Sequence, residues 1–171
     1  MSTSTTPTSG MFTPGRLCLT LVSLNTVVGP YMADWNETHV KNPNWPPHAR
    51  FHNGQTMSMG LCLGVLTAYF AWRPAFSSRS SAAQNGAGAE AGAEGGEGMT
   101  ERESVTIAAV LGALYWVTGL SAILYPGTLW VDPEFGTGAP QAPIFVASAV
   151  VSWVGWGLEM RRLRKFKPKQ G

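Results

Sequence analysis

All three histidines of this 171-residue chain fall between positions 39 and 52. The stretch "ADWNETHVKNPNWPPHARFHNGQTMS", residues 33–58, adds Asp34, Glu37 and Arg50 to them. Histidine titrates near neutrality, and a neighbouring carboxylate can orient or tune it. With Asn44 as cap and Pro46 and Pro47 near the first turn, a helix is expected to open here. On that helix His48, His52, Gln55 and Met59 stand at i, i+4, i+7 and i+11 and form one stripe, while Arg50 and Asn53 point elsewhere. The pattern suits acid–base catalysis. His48 and His52 are the candidate acid and base, Asp34 would orient one of them, and Arg50 would stabilise a developing oxyanion. His39 and Asp132 are secondary candidates.

Two other chemistries compete for the same residues. His48 and His52 at i, i+4 could ligate one metal ion, with Asp34 or His39 as a third ligand. The spacing alone is common, however, and no HExxH accompanies it, so no metal is expected. The structural reading has Trp35 and Trp45 as interfacial belt residues and Asp34 and Asn36 bonded to free backbone groups, with the prolines stiffening the turn. No phosphate-cradling glycine loop, nucleotide fingerprint or haem motif is visible, so no cofactor is expected. Asn36-Glu37-Thr38 is a glycosylation sequon close to a membrane helix.

The elements that must hold these groups are apolar. Mean hydropathy is near zero, +0.02, but the average hides four stretches with no charge in their middles: residues 12–33, 56–72, 105–125 and 143–158. A helix needs roughly 20 mainly apolar residues to cross a bilayer. The second stretch reaches that length if it starts at Pro47. A soluble bundle helix would carry a polar stripe, and "VTIAAVLGALYWVTGLSAILY" carries none. The expected fold is therefore all-α, a four-helix transmembrane bundle with a polar lumenal loop and a disordered cytoplasmic linker. The first stretch reads as a retained helix rather than a signal peptide, since its leader lacks a basic residue.

The expected order is a disordered N-terminus at 1–11, a first helix pair at 12–76 with its polar loop at 34–55, and a Gly/Ala/Ser/Glu linker at 77–103. A second helix pair at 104–160 and a basic tail at 161–171 follow. "TERE" from Thr100 should cap the third helix. Gly112, Gly119, Ser148, Ser152 and Gly155 would permit close helix approach. Asn25, inside the first stretch, needs a partner on a neighbouring helix or a backbone carbonyl. Arg16, Arg73, Glu159 and Arg161 stand near helix ends, where charges can snorkel to the interface. Cys18 and Cys62 read as small apolar residues.

Ten of the twelve lysines and arginines fall on the N-terminal side, the second connection and the tail. The positive-inside rule then puts both termini in the cytoplasm, as expected of a multi-pass protein of the endoplasmic reticulum or another endomembrane. The tail "RRLRKFKPK" is a topology signal that touches anionic lipid, and no nucleic-acid partner is expected. The third loop, with Asp132 and Glu134, should return to the face that carries Asp34 and the histidines.

The segments "ADWNETH" and "NPNWPPHARFHNGQT", together with the four-span layout, resemble a group of small four-helix integral membrane proteins of filamentous fungi, some encoded beside natural-product pathway genes. The resemblance implies a tailoring step on a polyketide or terpenoid. In size and membrane habit the chain is also similar to integral-membrane terpene cyclases, which protonate a substrate with carboxylic acids; it departs from them in having fewer spans and no acid buried mid-helix. The combined expectation is a membrane enzyme performing an isomerisation or cyclisation on a lipophilic small molecule. Its partners would be that substrate, the lipid bilayer, and a second copy of itself or other pathway enzymes. The alternative is a non-catalytic scaffold or small transporter subunit.

Overall fold

The computed structural model describes residues 11–85 and 99–165, the side chains of 77–85 excepted. The described residues form four long helices and no strand: α1 Pro14–Asp34, α2 Pro47–Asn85, α3 Glu101–Ser121 and α4 Ala142–Lys165, with a short 3-10 turn Ala122–Leu124 extending α3. Each helix packs extensively on its chain neighbours, and α4 closes back on α1, so the four form a ring with α1 and α3 on its diagonal. The starts of α1 and α3 meet the end of α4 at what we call the tail end. The long connections 35–46 and 125–141 lie together at the opposite, loop end.

Helix boundaries follow local chemistry. Thr13 caps α1 by accepting the Arg16 N–H, and Pro14 supplies the fixed φ of a first helical residue. The expected capping box opens α3: Thr100 Oγ accepts the Glu103 N–H at 3.2 Å, while the Glu103 carboxylate accepts the Thr100 N–H at 2.8 Å. Of the expected linker, the first residues, "SSRSSAAQN", are described as helical and continue α2 to Asn85, in keeping with the helix propensity of Ala. Likewise residues 101–103 and 161–165 are helical. The remainder of the linker (86–98), most of the N-terminus (1–10) and the last residues of the tail (166–171) lie outside the described residues.

Small residues set the helix spacing. Gly60 and Gly64 of α2 lie against α1. A Cβ on Gly60 would sit 2.7 Å from the Pro30 ring and 2.9 Å from the Thr26 carbonyl, the acceptor that Pro30 cannot serve. On Gly64 it would meet Val27 Cγ2 at 2.5 Å, and Ser23 donates to the Gly64 carbonyl at 2.8 Å. This GxxxG pair joins the small residues expected in α3 and α4. Gly112 faces Ser152, Gly155 faces Gly15, and Gly119 receives the Phe145 ring. Asn25 finds its partner across the bundle, donating to Ser148 Oγ at 2.9 Å.

The polarity of the bundle is inverted relative to a water-soluble one. Thr26, Thr67, Ser104 and Ser152 are fully buried, whereas Leu21, Leu24, Val65, Val110, Leu114, Val117 and Val150 are exposed along the helix middles. Indole N–H groups inside reach hydroxyls on facing helices: Trp116 to Thr26, Trp72 to Thr20 and Trp156 to Thr106, at 2.9–3.0 Å. The driest core, Leu19, Ala71, Val105, Ala108, Ala109 and Met160, lies towards the tail end. Two helical runs, Glu101–Leu124 and Ala142–Lys165, are long and apolar enough to cross a membrane. The four spans expected from sequence thus reduce to two on this criterion among the described residues. Arg16 and Asn25 interrupt α1, and α2 begins and ends in polar turns.

Candidate functional site

Two groups of ionisable side chains occupy the loop end. The first is built on the corner after α1. Asp34 ends the helix, and the chain folds back so that the Val40 N–H donates to the Asp34 carbonyl. Asn36 ties the turn: its amide nitrogen donates to the Ala33 carbonyl at 2.7 Å, and its amide oxygen accepts the Thr38 N–H and hydroxyl at 2.9 and 2.6 Å. This brings His39 Nε2 to 3.7 Å from Asp34 Oδ1. The other carboxylate oxygen accepts from Asn53 Nδ2 of α2 at 2.8 Å. The Asp34 side chain is 15 % exposed and that of His39 32 %.

The hydrogen-bond network assigns the His39 tautomer. Thr38 gives its hydroxyl proton to Asn36, so its oxygen is left to accept from His39 Nδ1–H at 2.7 Å. Nε2, the nitrogen facing Asp34, is then the atom that gains or loses a proton. Burial pushes the Asp34 carboxyl above its ordinary value, and the nearby His39 and the Asn53 hydrogen bond offset only part of that shift. Trp45 closes over the imidazole edge-on, with ring centroids 5.2 Å apart. The Asn53 amide oxygen is buried without a hydrogen-bond partner beside the carboxyl.

The second group lies on the outer face of the first turns of α2. His48 Nε2 and His52 Nε2 are 3.0 Å apart, and His52 Nδ1 lies 3.3 Å from Gln55 Oε1. Phe51 stacks parallel to His48 at 6.0 Å and meets His52 edge-on at 5.5 Å. Both imidazoles are exposed. The i, i+4 stripe expected from sequence is thus present. The expected link from Asp34 to it is not, because Asn53 turns inward and takes the carboxyl while His48 and His52 face out.

The remaining candidates have other partners. The Arg50 guanidinium donates to the Asn42 carbonyl at 2.7 Å, fastening the turn before α2 in place of the expected oxyanion contact. Asn42, 2 % exposed, also accepts the Asn44 N–H and donates to Glu134 at 3.4 Å. The third loop therefore does return to the first, through Glu134. Asp132 is exposed, and its backbone carbonyl accepts the Phe135 N–H. Sequence reasoning missed Asn53 and Asn42. Their one visible signal was an amide just inside a turn, too common to single out.

The tail end holds a cluster that sequence reasoning had divided among separate helix ends. Arg16 and Glu159 were expected to snorkel outward, yet they are 3 % and 1 % exposed. Thr13 donates to Glu159, Arg162 donates to Glu159 at 2.8 Å and also to Glu101, and Arg16 donates to Glu101 at 2.7 Å and to the Met11 carbonyl at 3.0 Å. Two guanidinium groups thus balance two carboxylates. These charges turn inward because Glu101 joins Arg16 of α1 to Arg162 of α4, and Arg162 also pairs with Glu159 one turn earlier on its own helix, which offsets part of the desolvation cost.

Among the described residues, no group of three or more His, Cys, Asp or Glu side chains is arranged to hold a metal ion. Cys18 and Cys62 are free thiols. No curated protein and no solved structure matches the chain. Residues 19–170, nearly the whole bundle including both loop-end groups, match a family of unknown function, DUF6640, and the chain belongs to that family.

Proposed function

We propose that the protein is an integral membrane enzyme that moves a proton on a lipophilic small molecule, with Asp34 and His39 as the reacting pair. The observation that carries this reading is the half-buried carboxyl facing a histidine nitrogen whose opposite nitrogen is already committed. A carboxyl raised by burial holds a proton at higher pH than a free one, and the imidazole can accept or return it. Such a pair suits an isomerisation or cyclisation that needs protonation at one carbon and deprotonation at another. A polyketide or terpenoid, the class implied by the sequence resemblance, fits that description.

Membrane placement is part of the same proposal. The exposed aliphatic belt and the buried hydroxyls suit a lipid solvent, and all four helices would cross, with Asp34 just beyond the first apolar run. A shallow apolar surface formed by Val28, Tyr31, Met32 and Trp35 along the outer face of α1 suits contact with lipid or a lipophilic molecule. The excess of basic residues at the tail end supports a cytoplasmic tail end, with the reacting pair on the opposite side.

The second reading, a non-catalytic scaffold, is favoured by the balanced charges of the tail end, which build architecture without chemistry. One experiment separates the two. The gene is deleted in its host, the accumulating metabolite is identified, and single variants are returned with membrane levels checked. Asp34→Asn and His39→Gln should each lower conversion by about 100-fold or more, the usual worth of a positioned acid or base. Undiminished conversion by either variant removes the assignment and leaves the scaffold.

A further inference from the structure

The His48–His52 pair is outside the proposed proton-transfer site and has a geometry of its own. We propose that these two imidazoles form a chelate for a divalent transition-metal ion, with copper(II) the best-fitting member, open to outside ligands at its remaining positions.

Three features support this. The nitrogens involved are both Nε2 and lie 3.0 Å apart. With metal–nitrogen bonds of about 2.0–2.1 Å, that separation corresponds to an N–metal–N angle of about 95°. This is close to the right angle between neighbouring ligands of a tetragonal copper(II) or nickel(II) centre and well short of the tetrahedral angle zinc prefers. Second, the His52 ring is set for ligation. Its Nδ1–H donates to Gln55 Oε1, which leaves the Nε2 lone pair directed at the shared point. His48 in the same tautomer presents a matching lone pair. Third, Phe51 packs against both rings and limits their rotation, so less ordering is required when the ion binds. Both rings are exposed, so the ion has direct access and water can fill the open positions.

The test uses the full chain in lipid nanodiscs, titrated with copper(II) and, separately, zinc(II), with helix content and elution volume as fold controls. Wild type should bind one copper(II) equivalent more tightly than zinc(II), with a paramagnetic resonance spectrum showing nitrogen ligation. His48→Ala and His52→Ala should each weaken that equivalent at least 10-fold, Gln55→Ala should weaken it a few-fold, and His39→Ala should leave it unchanged. Copper affinity that survives intact in the folded His48→Ala/His52→Ala double variant overturns the proposal, as does single-variant affinity equal to wild type. Because conversion by the Asp34–His39 pair is measured without added metal, failure of either proposal leaves the other standing or falling on its own result.

Discussion

The two ends of the bundle use charge in opposite ways. At the tail end, two carboxylates, two guanidinium groups and a threonine hydroxyl close a circuit drawn from α1, α3 and α4, with Arg16 and Glu159 almost wholly buried. At the loop end, Asp34, His39, His48 and His52 are half-buried or exposed, and their polar partners are neutral side chains or one another. A group whose bonding capacity is saturated by fixed opposite charges holds a fold together. A group left with one uncommitted atom at an accessible rim can exchange a proton or take a ligand. In this chain enclosure among fixed opposite charges separates the two ends better than residue type does.

The sharpest way to break this contrast is Glu159→Ala. It leaves the Thr13 hydroxyl without its acceptor and Arg162 with Glu101 alone, and removing one member of a buried ionic network typically costs about 3–5 kcal/mol. Thermal unfolding in detergent should show that loss, with Glu159→Gln milder because both donors keep an acceptor. A loss under about 1 kcal/mol would mean that the circuit is ornament and the two ends are alike.

Gly15→Ala asks the same question through packing. The added methyl would sit 2.6 Å from the Glu159 side chain and 2.6 Å from the Gly155 carbonyl, where the backbone has little room to give. Overpacking of this kind costs about 1–3 kcal/mol and should appear as a lower unfolding midpoint.

Asp34→Asn probes the loop end by pH. The native carboxyl is raised above its unfolded value, so its contribution is fully present below the ordinary aspartate pKa of 3.8 and is lost as pH rises through the native value. Wild type should therefore lose stability relative to Asp34→Asn across that rise, by less than about 1 kcal/mol because the rim is screened by solvent. A difference that does not change with pH would place the carboxyl in a fixed structural role like that of Glu159. The smallest effect belongs to His48→Ala and His52→Ala, which touch only exposed rings and should move stability by less than about 0.5 kcal/mol in either direction. A larger loss would assign the pair to the framework.

Much of this was readable from residue order. The helices, the Thr100–Glu103 cap, the Asn25 partner on a neighbouring helix and the His48–His52 stripe are local or periodic signals, and all are present. Two features were not readable. Arg16, Glu101 and the Glu159–Arg162 pair are far apart in the chain, and each alone resembles an ordinary charge at a helix end; only ring closure brings them together. The choice of partner for Asp34 was hidden as well. It depends on the Asn36 turn, which swings His39 back, and on the rotation of α2, which turns Asn53 inward and His52 out. Periodicity gives the relative phase of residues along one helix but not the absolute rotation of that helix against its neighbours.

The Arg16–Glu101 bond also bears on how the chain is made. Glu101, the carboxylate that pairs with Arg16 in the folded bundle, is synthesised 85 residues after it. The enclosed position of Arg16 is therefore completed only when the second helix pair arrives.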